Sequence, residues 1–245
     1  MRRVPAWARR FYLWQGALLA LAALLLAWVF HATRLDLQLE APYYDAVNHT
    51  FPWRYAWVTK YLLHRHLKVA LIVAGLFVWA VALRARFVGA PRFLAARTRR
   101  WWVIAWCFVL VPLASAVLRR LSPMHCPWDI AEFGGRMPYL DAVRALSANV
   151  PPGHCAPAGY MTVGTWLLAF ALLWYPERRA RSVVIGVGLV LVSLALGWVQ
   201  QMRGAHFLSH SLWSLWWSWL VILAVHAASR AWRDPAAVPP AGPAT

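Results

Sequence analysis

The chain has 245 residues, of which 62% are hydrophobic and only 13% charged, yet its formal net charge is +17. Soluble globular domains hold roughly 25% charged residues, so this composition excludes an ordinary soluble domain and points to an integral membrane protein. All but two of the 25 basic residues (Lys60 and Lys68) are arginine, and they bracket apolar runs instead of forming a continuous basic surface, which sets nucleic-acid binding aside.

A membrane-spanning helix needs about 20 mostly apolar residues. Six segments meet or approach that length, at about 11–31, 67–85, 101–118, 159–175, 182–200 and 207–229, with no Asp or Glu in their interiors. The first follows Arg2, Arg3, Arg9 and Arg10, as a signal peptide would. Its apolar run over 11–30 exceeds the roughly 7–15 residues of a cleaved leader's core, so it reads as an uncleaved anchor. The connection 32–66 contains Phe51-Pro52-Trp53-Arg54 and then an aromatic and basic stretch that reads as an interfacial helix. His49, His64 and His66 in that connection read as solvated. The second long connection, 119–158, is rich in Pro, Gly, Cys and His. The Pro/Ala-rich tail 235–245 reads as disordered. That leaves residues 1–234 as one all-α domain, a polytopic six-helix transmembrane bundle without the internal repeat of an inverted-repeat transporter.

Orientation follows from the cations. The short segments 1–10, 84–100, 176–181 and 230–245 hold fifteen of the 25 Lys and Arg residues, and the positive-inside rule places them in the cytoplasm. Both termini are then cytoplasmic, the connections 32–66 and 119–158 face outward, and a bacterial-type inner (plasma) membrane is the expected location. Many of the 18 tryptophans, among them Trp53, Trp57, Trp101, Trp102, Trp198, Trp213 and Trp232, fall near span ends, where indoles favour the headgroup region.

Eight of the nine histidines map to the outward side. His206 and His210 stand out because they open the last apolar run, where an imidazole must be satisfied or functional. On a helix beginning near His206, His210 and Ser214 follow at i+4 and i+8 on the same face. Arg203 and Gly204 form the turn before it, and the free amides of the helix start offer an anion site. Imidazole, guanidinium and helix-end amides suit a phosphate; a polar helix-packing cluster explains the same spacing. Two further polar stretches lie on this side. One runs from Arg119 and Arg120 to Cys126-Pro127, and the other is Gly153-His154-Cys155-Ala156-Pro157-Ala158-Gly159-Tyr160.

Together these stretches resemble the three motifs of the type 2 phosphatidic acid phosphatase (PAP2) superfamily of membrane lipid phosphatases: Lys-x6-Arg-Pro, Pro-Ser-Gly-His and Ser-Arg-x5-His-x3-Asp. The resemblance covers roughly 67–225. Gly204-Ala205-His206-Phe207-Leu208-Ser209-His210 is similar to the third motif, with His206 at the nucleophile position. Pro157-Ala158-Gly159-Tyr160 is similar to the second, and Arg119-x6-Cys126-Pro127 to the first. His210 stands where the family has the orienting Asp, Tyr160 where it has the His that protonates the leaving oxygen, and Arg119 and Cys126 where it has Lys and Arg. Val199-Gln200 replace the Ser-Arg pair.

The resemblance implies a six-span lipid phosphatase working at the outer face through a phosphohistidine on His206, with His210 and Tyr160 as the other catalytic residues. Arg119, Arg120, Arg203 and Gly159 would bind phosphate. A lipid phosphate or diphosphate in the bilayer would be the substrate, no cofactor, metal or nucleic acid is expected, and no protein partner is inferable from the sequence. The replaced positions also fit a relative that binds a lipid phosphate without turning it over. Tyr160, with an ordinary phenol pKa near 10, is a poor acid at neutral pH, which favours a leaving group of low pKa such as a diphosphate. Cys126 and Cys155 lie one beside each of the first two motifs, and in an oxidising compartment a disulfide would pin those motifs together. The spacing of His125, Cys126, His154 and Cys155 is unlike that of a zinc site. Cys107 reads as a buried apolar residue.

Overall fold

In a bilayer every backbone N–H and C=O must be bonded within the protein, which leaves the helix as the simplest form for a long apolar run. The computed structural model describes residues 4–89 and 92–233. The tail 235–245, Arg2 and Arg3 lie outside the described residues. Among the described residues there is no β-strand, only the isolated bridges Asp45–Thr50 and Ile130–Met137. The protein is an all-α membrane bundle.

Five helices are long and apolar enough to cross a membrane: α1 (Ala6–Ala32), α3 (Val58–Phe87), α5 (Thr98–Leu121), α7 (Arg179–Met202) and α8 (Leu208–Ala228). The short helices α2 (Leu35–Glu40) and α4 (Arg92–Ala95) lie in the connections. The segment expected at 159–175 forms α6 (Gly159–Trp174), which is shorter than the other five. Its first seven residues are α-helical and its last nine form a 3-10 helix. A 3-10 helix rises about 2.0 Å per residue against 1.5 Å for an α-helix, so α6 is about 28 Å long. The interfacial helix expected after Phe51 is instead the π-helical lead of α3 over Val58–His66. There the Leu67 N–H bonds the Leu62 carbonyl, so the backbone stays paired as the helix runs on.

α5 packs against α3, α6 and α8, α1 lies against α8, and α7 covers α6 and α8. Trp166, Ile104, Ala105, Cys107, Ala169 and Ile222 form a fully enclosed core among these helices. Leu13, Trp14, Leu24 and Trp28 of α1, Phe77 of α3 and Val184 of α7 are exposed. Such apolar stripes need lipid around them. At one end of the bundle the buried Arg100 holds Glu177 through two hydrogen bonds of 2.6 and 2.8 Å and donates to the Leu173 carbonyl at 2.9 Å. The polar stretches singled out from the sequence lie on the connections at the other end.

Candidate functional site

The site is assembled by the turn between α7 and α8. The Ala205 N–H bonds the Gln200 carbonyl and the Gly204 N–H bonds the Gln201 carbonyl, at 2.9 and 2.8 Å. This paired closure requires a left-handed residue, and Gly204 supplies it with φ +68°. The Phe51 ring lies where a β-carbon on Gly204 would sit, so only glycine fits. The turn then delivers His206 just ahead of α8.

The start of α8 is capped from a distance. Asp36 of α2 accepts the Ser209 N–H at 3.0 Å, the Ser209 hydroxyl at 2.5 Å and the Tyr139 hydroxyl at 3.0 Å. A carboxylate on a helix start is favourable through both the free amides and the helix dipole. The consequence corrects a sequence expectation, because the Ser209 amide is committed to Asp36 and is not free for a phosphate. Burial pushes the Asp36 carboxyl up to about 6 in spite of these bonds. Glu40, on the same short helix, is buried with both oxygens unpartnered among the described residues. Burial, then the charge of Asp36, raises it to about 10.

The two remaining stretches are strapped to each other and to this turn. Cys126 and Cys155 are joined by a disulfide. The His154 and Cys155 amides bond the Ser122 and Met124 carbonyls at 3.0 and 3.1 Å, and the Trp128 amide bonds the Gly204 carbonyl at 3.1 Å. From inside the bundle, Ser214 accepts the Ala158 N–H at 2.7 Å while donating to the His210 carbonyl. The mouth of α6 is therefore fixed on α8 two turns below His206.

His206 is buried, with Nδ1 3.4 Å from Cys155 Sγ and a further bond to the Cys155 backbone. A disulfide sulfur carries no proton, so the imidazole is the donor. A proton on Nδ1 would leave the lone pair on Nε2. Burial, and then the neighbouring Arg119, depress the imidazole to about 3, so it is neutral at pH 7. Arg119, at the end of α5, lies across the start of α6, and a β-carbon on Gly159 would come within 2.9 Å of its Nη1. Arg203 donates to Gln200 Oε1 at 3.0 Å and acts electrostatically on His206 and on Tyr160. Burial, then Arg54, holds the Arg203 guanidinium below its usual range. Arg54 itself lies 4.1 Å over the Trp128 ring. Among the described residues no carboxylate pairs with Arg54, Arg119 or Arg203. Like charges gathered without a counter-ion make a place for an anion.

The structure brings His206, Arg119, Arg203, Gly159, Tyr160 and the Cys126–Cys155 disulfide to one spot. His210 is fully buried behind His206, the ring centres 6.0 Å apart, and neither of its nitrogens has a partner among the described residues. The group that orients His206 is thus Cys155 and not His210. Tyr160 donates its hydroxyl to the Leu63 carbonyl, which commits its proton to α3. Arg120 is exposed, and among the described residues no hydrogen bond or ion pair ties it to the cluster. Cys126 and Cys155 would offer a metal their sulfurs alongside His206 within 4.8 Å, but the sulfurs are bonded to each other. Two residues were missed from sequence. His64, read as a solvated loop residue, stacks on Tyr160 with ring centres 4.5 Å apart, and Arg54 neighbours Arg203. Both lie in the 32–66 connection, whose packing onto α7 and α8 has no short-range pattern. Comparison of the chain with known protein families, curated proteins and solved structures found no match.

Proposed function

We propose that this chain is an integral membrane hydrolase that removes phosphate from a lipid phosphate or diphosphate through a phosphohistidine on His206. The observation that carries the reading is the setting of that side chain: buried, with its Nδ1 3.4 Å from Cys155 Sγ, and with Arg119 and Arg203 as electrostatic neighbours. Nε2 attacks phosphorus in line, the leaving oxygen departs with the bonding pair, and the guanidinium groups stabilise the charge on the equatorial oxygens. Water then cleaves the P–N bond and restores His206. In this reading α6, about 28 Å long by its 3-10 geometry, is a sixth span, and the bundle is of the phosphatidic acid phosphatase type. The His206 end faces outward, and the arginine-rich end with both termini lies in the cytoplasm of a bacterial-type cell.

The test is phosphate release by purified protein in lipid nanodiscs, offered phosphatidate, lysophosphatidate and an isoprenyl diphosphate. Acid-labile phosphorylation of the protein should accompany turnover, and His206→Ala should abolish both. Turnover that survives this substitution refutes the mechanism. A second reading, a protein that binds a lipid phosphate without hydrolysing it, is favoured by the commitment of the Tyr160 proton to Leu63 and of Cys126 to the disulfide. Saturable binding without phosphate release would select it.

A further inference from the structure

Cys126, Cys155 and His206 come from three separate stretches, 29 and 51 residues apart, so no metal-ligand spacing shows along the chain. In the fold their two sulfurs and one imidazole nitrogen all lie within 4.8 Å of one another. We infer that, once the disulfide is reduced, these three residues bind a zinc ion, and that the bound metal takes His206 out of action. Zinc holds sulfur at about 2.3 Å and imidazole nitrogen at about 2.0–2.1 Å in a tetrahedron, so its ligand atoms stand roughly 3.5–3.8 Å apart. Nδ1 of His206 already lies 3.4 Å from Cys155 Sγ. Two thiolates, one imidazole and an open fourth position make a ligand set that zinc accepts. The three stretches are also held together without the bridge. The His154 and Cys155 amides bond the Ser122 and Met124 carbonyls, and the Trp128 amide bonds the Gly204 carbonyl.

Cys155 is enclosed and Cys126 partly exposed, so a dithiol reductant meets the Cys126 sulfur first. One thiolate of the reductant attacks Cys126 Sγ, and the electron pair of the S–S bond leaves with Cys155 Sγ. The second thiolate then frees Cys126 as the reductant closes its own disulfide. Arg119, an electrostatic neighbour of His206, favours the anionic sulfurs. The metal releases the protons of any thiol that it binds, and two thiolates balance its double charge beside the arginines. Bound at Nδ1, it leaves the ring proton on Nε2. The lone pair that would attack phosphorus is then gone, so metal binding and a phosphohistidine exclude each other. That consequence rests on the phosphatase reading above; the metal site does not. Of the neighbouring histidines, His125 adjoins Cys126 but lies outside the set, and His154 holds the Arg119 carbonyl through Nδ1.

The test uses protein in nanodiscs, reduced with dithiothreitol, desalted without air and titrated with cobalt(II), whose visible absorption reports tetrahedral, sulfur-containing coordination. The reduced protein should take up one metal per chain and yield it to zinc, and the oxidised protein should take up none. The oxidised wild type is folded and lacks free thiolates, so this contrast does not depend on the folding of a variant. Cys126→Ser/Cys155→Ser and His206→Ala should each lose the tetrahedral spectrum, and His125→Ala should keep it. Equal binding by the oxidised protein, or an unchanged spectrum in either of the first two variants, overturns the site. One equivalent of zinc should then abolish the phosphate release that the reduced protein retains, and a chelator should restore it. Release that continues with the metal bound overturns the masking of His206. A wild type that binds cobalt only when reduced, yet releases no phosphate in any state, overturns the phosphatase reading and leaves the metal site standing.

Discussion

Glu40 provides a stability test that is independent of any substrate. Its carboxyl is raised from 4.5 to about 10 by burial and by the charge of Asp36, so between those values the folded protein keeps a proton that the unfolded chain releases. The native state then binds more protons than the unfolded one, and stability must fall as pH rises through that window. Each pH unit is worth at most about 1.4 kcal/mol for one such group, so pH 5 to pH 8 spans a ceiling of about 4 kcal/mol. For a chain of this size that corresponds to roughly 8–16 °C in apparent Tm. Glu40→Gln keeps the shape and removes the ionisation, and with it this part of the slope. Asp36, raised to about 6, titrates in both proteins and cancels in the comparison. Tryptophan fluorescence followed during heating in mild detergent, at unit steps from pH 5 to pH 8, should show the two proteins alike at pH 5 and the variant several degrees more stable at pH 8. Parallel curves, or a wild type that gains on the variant with rising pH, would mean that Glu40 is charged in the fold and that its enclosure is misread.

The helices of this protein are legible in its sequence because the bilayer sets a length and an apolarity that few other environments demand. α1, α3, α5, α7 and α8 all answer to that one rule. α6 strains it, since its final nine residues stretch into a 3-10 helix, a choice made by packing against α5 and α7 that hydropathy does not register. At the site, Arg203, Gly204 and His206 could be read because a turn, a glycine and a helix start are neighbours in sequence. The meeting of Arg119 with Gly159 was suggested only by the order of the polar stretches. His64 and Asp36 were not legible as site residues. His64 reaches Tyr160 across 96 positions, and Asp36 reaches Ser209 across 173. Contacts at such separations are set by how whole helices dock, and no local periodicity encodes them. That Cys155 and not His210 holds the His206 ring is also visible only in the structure.

Two further substitutions probe how the site is held. Gly159→Ala places a β-carbon 2.9 Å from Arg119 Nη1; the guanidinium must swing aside, so phosphate release should fall by about 10- to 100-fold, the value of one hydrogen bond to a charged group, with little change in Tm. Loss of the disulfide acts differently, through the unfolded chain. Cys126 and Cys155 are 29 residues apart, and closing a loop of that length restricts the unfolded ensemble by about 3.6 kcal/mol. The double variant Cys126→Ala/Cys155→Ala should therefore melt roughly 7–14 °C below wild type, and wild type heated in excess reductant should melt with it. Activity should fall further than stability alone explains, even well below the melting range, because Cys155 also fixes the His206 ring and the disulfide ties the Arg119 stretch to the mouth of α6. If the reduced and oxidised proteins melt together, the connection 119–158 is held by its backbone bonds to Ser122, Met124 and Gly204 alone.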